Sequence, residues 1–151
     1  MIDITHRIGI RASIARVQSA VASVKGVAGW WTTDTSGEYA LGQNLTMRFA
    51  NPEGQELGRM VFKVTRMEAR KVEWQCLEGP AEWVGTFVTF DLSESNGQTI
   101  LLFGHRGWKE LVEFTAHCSM KWATFLLSLR EFAETGTGRP SPHDLKIDDW
   151  N

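Results

Sequence analysis

The residues of this chain whose chemistry could serve a site are a few histidines, two cysteines and charged residues in apolar patterns. The candidates for a metal site are His6, His105 and His117, with Cys76, Cys118 or Glu82. Imidazole and thiolate suit zinc, but the chain has no Cys-x-x-Cys or His-Glu-x-x-His spacing. His117 and Cys118 are adjacent in a helical pattern, so their side chains point about 100° apart. The sequence therefore predicts no metal site and no cofactor, and histidines that find hydrogen-bond partners in the core or at a pocket edge.

Lys121 lies among apolar residues in the same helical pattern. Its neighbours on that face include Phe114, Trp122 and Phe125. An ammonium group there needs a counter-charge or a route to water. Two interpretations follow: Lys121 orients a ligand together with His105 and His117, or its stem passes the core and its charge reaches the surface.

Catalytic motifs are missing from the sequence. The chain has no Gly-x-Ser-x-Gly elbow, no phosphate-binding glycine loop and no recognisable triad. The one acid and base set that could meet in a cavity is Glu82, His105 and Lys121, which would suit a cyclase or a hydrolase. The sequence therefore predicts no catalytic residue.

Aromatic residues are the unusual part of the composition. The chain has 7 Trp and 8 Phe beside 1 Tyr, so most of its aromatic surface lacks a hydroxyl and suits a core or an apolar pocket. Trp74 and Trp122 follow the apolar period toward a sheet and helix interface, whereas Trp31 and Trp108 fall near element ends. The predicted ligand-binding residues are Trp31, Phe49, Phe62, Trp74, Val88, Phe90, Phe103, His105, Trp108, His117, Lys121 and Trp122.

Length and charge limit the classes of function. A chain of 151 residues fits one domain with a sizeable core, and a formal net charge of -2 gives no attraction to nucleic acid. The first residues alternate polar and apolar types, which is not the pattern of a signal peptide, and no segment is apolar enough to cross a bilayer. We expect a cytoplasmic protein with two free thiols, no nucleic-acid partner and no membrane insertion.

The first 31 residues predict one strand and two short helices. Isoleucines at alternate positions of residues 2–10 indicate a strand with one buried face. Ser13 is placed to cap a helix that ends at Lys25-Gly26. Residues 26–31 then form a second short helix or a turn.

A period of two from residue 45 to about 108 predicts a meander of antiparallel strands, with a hairpin turn at 95–97. The longest helix is predicted from about Leu111 to Glu134, ended by Gly136. Residues 139–151, rich in Pro and Asp, are predicted to be a surface tail, which leaves 1–138 as a single domain. Long strands at a sheet edge would also allow a homodimer.

These elements predict an α+β fold in which a curved antiparallel sheet wraps around one long C-terminal helix. Two short helices follow the first strand. A strongly curved sheet on one helix does not close completely, so an apolar cavity between them is expected.

Short patterns in this order carry a family resemblance. They are Ile8-x-Ile10-x-Ala12-Ser13, Gly29-Trp30-Trp31, Trp83-x-Gly85-Thr86-x-Val88-Thr89-Phe90, Thr99-x-Leu101, His105-x-Gly107-Trp108 and His117-Cys118-x-x-Lys121-Trp122. Over nearly its whole length the chain resembles the START-like helix-grip superfamily (SRPBCC), in the branch similar to the activator of heat-shock protein 90 ATPase. The resemblance implies the helix-grip fold.

The resemblance also implies three classes of function. Superfamily members bind sterols, lipids, polyketides or plant hormones, some are aromatase/cyclases, and the eukaryotic co-chaperone stimulates an ATPase. The co-chaperone also carries a separate N-terminal chaperone-binding domain, which this chain is expected to be too short to include. The first hypothesis is therefore a binding module for a small hydrophobic or amphipathic ligand. The alternatives are a chaperone-associated or other protein-interaction module, including a homodimer, and an enzyme of cyclase or hydrolase type.

Overall fold

The computed structural model describes residues 1–151 as seven strands and three helices. The strands are β1 (Ile2–Ile10), β2 (Asp34–Gly37), β3 (Asn44–Ala50), β4 (Glu56–Met67), β5 (Lys71–Glu78), β6 (Phe87–Ser95) and β7 (Gln98–Trp108). The helices are α1 (Ile14–Val21), α2 (Val24–Trp30) and α3 (Glu113–Thr135). None of the three helices combines the length and apolarity that a membrane span requires.

The strands form one antiparallel sheet in the order β1-β7-β6-β5-β4-β3-β2. The meander from β2 to β7 is sequential, and β1 pairs with β7 at the opposite edge. The β6–β7 hairpin turns at Asn96 and Gly97, whose φ angles of 51° and 76° are those of a type I′ turn. The sheet is curved and α3 packs against it, so the predicted fold class is confirmed.

The predicted boundary between the two short helices was wrong. Lys25 and Gly26 lie inside α2, and the break comes earlier, at Ser23. The Ser23 hydroxyl accepts a hydrogen bond from the Gly26 amide at 2.9 Å and donates one to the Ser19 carbonyl at 2.7 Å, which caps α2. A Cβ at Gly26 would lie 2.5 Å from the Ser19 oxygen, so this glycine allows the two helices to approach instead of ending one.

Strand β2 was missed by the sequence analysis. Its residues, Asp34–Gly37, are all polar or glycine and give no apolar alternation. Pairing with β3 supplies the order that the sequence pattern lacks. The side chain of Thr32, just before β2, also donates to the Arg48 carbonyl at 2.6 Å.

One continuous core joins the sheet to the helices. Trp30 of α2, Trp74 of β5 and Phe90 of β6 are fully buried, and the Trp74 and Phe90 rings lie 5.0 Å apart. The Trp74 indole donates to the Tyr39 hydroxyl at 2.5 Å, and that hydroxyl donates to the Val21 carbonyl at 2.7 Å. The single tyrosine of the chain therefore satisfies a buried indole and a helix C-terminus together.

The segment after α3, residues 139–151, is tied to the fold in its first half. Ser141 and Asp144 are only 4% and 7% exposed. The Ser141 amide donates to the Trp31 carbonyl at 2.8 Å, and the Thr33 amide donates to the Ser141 carbonyl at 3.1 Å. From Leu145 onward most residues are exposed.

Candidate functional site

An apolar groove of about 740 Å³ lies beside the first half of α3. Its floor comes from the sheet side, its inner wall from α3, and its outer rim from the last six residues of the chain. The large apolar side chains that line it are Trp31, Phe49, Leu57, Met60, Trp83, Phe114, Trp122, Phe125 and Trp150. A hollow of this size with aromatic walls and a few polar groups is typical of small-molecule sites.

The position of α3 explains the groove. The helix makes its main contacts with β1, α1 and α2. It therefore lies toward the β1 edge of the sheet, and no helix makes comparable contacts with β3, β4 or β5. Side chains from the ends of those strands and the C-terminal segment enclose the space that remains.

Five of the twelve predicted ligand-binding residues line the groove: Trp31, Phe49, His117, Lys121 and Trp122. The other seven do not line it and are buried in the core: Phe62, Trp74, Val88, Phe90, Phe103, His105 and Trp108. They face the interior, as their alternation predicts, but neighbouring rings fill the space in front of them. Phe103, for example, lies 5.6 Å from the Phe90 ring and 4.6 Å from the Trp122 ring.

His105 is fully buried and has both ring nitrogens occupied. Its Nδ1 accepts from the Trp122 indole at 3.1 Å, which assigns the proton to Nε2. Nε2 then donates to the Thr86 hydroxyl at 2.8 Å, and that hydroxyl donates to the Trp83 carbonyl at 2.5 Å. Burial lowers the pKa of His105 to about 3, so the ring is neutral and orients the indole of Trp122, one wall of the groove.

Lys121 lines the groove and has a counter-charge. Its side chain is 10% exposed, and Nζ forms a salt bridge at 2.5 Å with Asp144, whose side chain is 2% exposed. Nζ also donates to the Leu145 carbonyl at 2.8 Å. The counter-charge that the lysine needs thus comes from residues 139–151, the segment predicted to be a surface tail.

Asp144 is ionised in this arrangement. Burial raises the pKa of its carboxyl, but hydrogen bonds and charges from Lys121 and Lys146 outweigh the burial and leave the pKa below its usual value. The pair fixes the C-terminal segment to α3 and presents the aliphatic stem of Lys121 to the groove.

His117 makes a second polar contact to this segment. Its Nδ1 lies 2.6 Å from an Asp148 carboxylate oxygen, and this hydrogen bond lowers the pKa of Asp148. The Trp150 ring packs against His117 and Phe114, with centroid distances of 5.3 Å and 6.3 Å. These three contacts set the outer rim of the groove.

Several lining residues were outside the predicted set. Phe114, Cys118 and Phe125 share a helix face with Lys121 and Trp122, so the helical period already carried the signal for them. Met60 alternates with Phe62 and Val64 inside β4, so the strand period also carried the signal for it. Trp83 lies in the turn between β5 and β6, where no period indicates its direction. Asp148 and Trp150 were missed because they lie in the presumed tail.

The three residues proposed for acid and base chemistry do not come together at one site. Glu82 is exposed, His105 is enclosed by Thr86 and Trp122, and Lys121 is paired with Asp144. Burial raises the pKa of the Cys118 thiol to about 12, so this groove residue is held as the neutral thiol. The arrangement can enclose and orient an apolar molecule.

A curved antiparallel sheet that holds one long helix, with an apolar groove between them, defines the class as a helix-grip domain. No protein-family model matches the chain, and no curated protein matches it. Solved structures do match. Aha1 from Colwellia psychrerythraea, described as a dimer in solution, is 39% identical over 91% of this chain and 100% of that chain, with a TM-score of 0.78.

Two more distant structures share the fold. BH1534 from Bacillus halodurans is 23% identical over 89% of this chain and 98% of that chain, with a TM-score of 0.69. CalU16 from Micromonospora echinospora is 19% identical over 89% of this chain and 77% of that chain, with a TM-score of 0.68. On the strength of the similarity to the Colwellia protein, the chain belongs to the Aha1 family of helix-grip proteins.

Proposed function

We propose that this protein binds a small hydrophobic or amphipathic molecule in the groove beside α3. The fold and the relatives support a ligand-binding or interaction module. The observation that carries the proposal is the groove itself: about 740 Å³ bordered by tryptophan and phenylalanine side chains, in a domain whose core is otherwise filled. Apolar surface of this kind gains free energy when a ligand replaces water.

The polar groups of the groove favour a ligand that is neutral or only weakly charged. The Lys121 ammonium is neutralised by Asp144, and His117 is paired with Asp148. Arg59 and Lys146 also line the groove and are paired, with Glu78 at 3.2 Å and with Asp144 at 3.1 Å. A strongly charged headgroup at any of these four positions would compete with an existing partner. An uncharged aromatic or aliphatic body with one hydrogen-bonding end is the better match.

The test uses Nile red, a neutral dye whose fluorescence rises in apolar surroundings. Wild-type protein should give a saturable increase. Met60→Lys should weaken dye binding by about tenfold or more, because it places an ammonium group on the apolar wall. Met67→Lys is the matched control: it is the same change on the same strand, at a residue that is 42% exposed and lies outside the groove.

The two variants separate the proposed site from unspecific dye binding. Equal effects of Met60→Lys and Met67→Lys, or a wild-type signal that does not saturate, would contradict the proposal. Native mass spectrometry of protein purified from its own host then addresses the ligand. A reproducible mass excess over the denatured chain that is lost in Met60→Lys would identify the natural molecule.

Self-association is a second candidate function. The Colwellia relative is described as a dimer, and β1 and β2 are the two edge strands of the sheet here. Light scattering coupled to size-exclusion chromatography measures the mass directly. A mass of two chains at micromolar concentration supports a homodimer, whereas a mass of one chain counts against it. Chaperone association and cyclase or hydrolase activity stay predictions.

A further inference from the structure

The C-terminal segment has two halves with different attachments. Residues 139–144, here called the anchor, are fixed by buried groups. In addition to the Ser141 hydrogen bonds, the Arg139 amide donates to the Ser128 hydroxyl at 2.7 Å, and that hydroxyl donates to the Trp30 carbonyl at 2.9 Å. The anchor is therefore part of the domain.

Residues 146–151, here called the strap, are attached much more weakly. Two polar contacts join the strap to α3: Asp148 with His117 at 2.6 Å, and Lys121 Nζ donating to the Asn151 carbonyl at a long 3.5 Å. The Asp148 side chain is 35% exposed. The strap's other short hydrogen bonds do not reach α3. One, from the Trp150 amide to Asp148 at 2.8 Å, lies within the strap, and one, from Lys146 to Asp144 at 3.1 Å, joins the strap to the anchor. Trp150 itself is 49% exposed.

Cavities lie on both sides of the strap. The groove is on its inner side, and a second hollow of about 300 Å³ separates it from the outer face of α3 near Ala116 and Met120. A segment with few buried contacts and exposed hydrogen bonds opens at a far lower free energy than the whole domain unfolds. The strap can thus lift while the anchor and the core stay in place.

The inner end of the groove is closed to solvent in this arrangement. Cys118, Trp122 and Trp83 line it but are only 4%, 2% and 5% exposed. Trp150 and Asp148 line the same groove, at the rim that the strap forms.

We propose that the strap is a gate for the groove and that the hydrogen bond between His117 and Asp148 is its latch. This inference rests on the proposed function for its biological meaning. Opening breaks the latch, moves Trp150 away from Phe114, and exposes the inner wall. Leu145, 60% exposed and next to the buried Asp144, is where the strap departs from the anchor.

The two free cysteines offer a test that needs no ligand. Cys118 lines the groove behind the strap, whereas Cys76 on β5 is 1% exposed and lies outside the groove. N-ethylmaleimide modification followed by peptide mass spectrometry gives both rates in one experiment. Asp148→Ala and Trp150→Ala should each raise the Cys118 rate by about tenfold, with the Cys76 rate unchanged.

Asp149→Ala is the matched control, because it removes a neighbouring strap carboxylate that has no bond to His117. It should leave both rates at their wild-type values. Unchanged Cys118 rates in both Asp148→Ala and Trp150→Ala would overturn the gate. A rise in Cys118 modification that is matched by Cys76 would also overturn it, since that result means global unfolding.

Stopped-flow mixing with Nile red distinguishes a gate, which controls the rates of entry and exit, from a strap that is only a fixed wall of the binding site. For a gate, Asp148→Ala should raise the association and dissociation rates by similar factors. A rise in the dissociation rate alone would make the strap a binding wall and overturn the gate. If wild-type protein binds no Nile red while Cys118 modification responds to Asp148→Ala, the proposed ligand function fails and the mobile strap stands.

Discussion

The sheet and helix interface has two halves built from the same residue types but packed differently. In the packed half, the rings of Trp30, Trp74, Phe90 and Phe103 are buried and pack against one another, with centroids 5.0 Å apart for Trp74 and Phe90 and 5.6 Å for Phe90 and Phe103. In the groove half, Trp122 and its neighbours border about 740 Å³ of open volume. The aromatic content of the two halves therefore does not decide which one can take a ligand.

What differs is the element that lies above each half. Trp30 of α2 reaches Phe90 on the sheet with ring centroids 6.2 Å apart. Where the ends of β3 and β5 and the first half of β4 border the groove, the covering element is the C-terminal segment, which has no regular structure. A wall of aromatic side chains leaves space for a ligand only where the element above it is incompletely packed.

The largest expected effect comes from truncation in the packed half. Phe90→Ala should lower the free energy of unfolding by roughly 3–5 kcal/mol, because a fully buried ring leaves a cavity. Phe114→Ala, at a partly buried groove position, should cost only about 1–2 kcal/mol. Urea denaturation measures both. Equal losses would mean that the two halves are packed alike.

The buried ion pair should have the next largest effect. Lys121→Met leaves Asp144 buried with only Lys146 as its partner, and the expected cost is about 3 kcal/mol. Lys71→Met is the control, since Lys71 is 55% exposed, pairs with Asp91 at 3.8 Å, and should change stability by less than about 1 kcal/mol.

A double variant sharpens this prediction. Lys121→Met combined with Asp144→Leu should recover much of the loss, because no uncompensated charge stays buried. A Lys121→Met variant as stable as the wild type would show that the anchor adds nothing to the groove half.

The fold could be predicted from the sequence because period, caps and turns agree with it. The alternation of Val88, Phe90 and Leu92 and the turn at Asn96 and Gly97 specify a hairpin whatever surrounds it. β2 could not be found in this way, since Asp34–Gly37 is ordered only by pairing with β3.

The groove was predictable only in part. The α3 face with Lys121 and Trp122 follows from the helical period, but the lateral position of α3 depends on packing against α1 and α2, which no local pattern encodes. The acidic residues near the end of the chain were a signal for the partner of Lys121, but local composition alone predicts only a surface segment. A lysine on an apolar face needs a carboxylate, and Asp144 and Asp148 were available in the segment treated as a tail.

The pH dependence of stability tests whether His105 belongs to the packed half or to the groove half. Burial lowers the pKa of His105 in the folded protein to about 3, below the ordinary value of 6.5, so between these values the unfolded chain binds a proton that the folded protein does not. Protonation therefore favours the unfolded state in this pH range. The free energy of unfolding should fall by about 2 kcal/mol as the pH falls from about 7 to 5.

His105→Asn keeps an acceptor for Trp122 and a donor for Thr86 but cannot titrate in this range. Denaturation at pH 7 and pH 5 should therefore show a smaller loss in the variant than in the wild type. The same loss in both proteins would show that His105 is already reached by solvent, and would move it from the packed half to the groove half.

The smallest expected change in stability is at Trp150, although this residue should have one of the largest effects on access to Cys118. Trp150→Ala removes a half-exposed ring from the strap and should lower the free energy of unfolding by less than about 1 kcal/mol. Urea denaturation of the variant and the wild type at pH 7 measures it. A loss of several kcal/mol would mean that the strap covers the groove half as firmly as α2 covers the packed half, and the distinction between the two halves would then have no energetic basis.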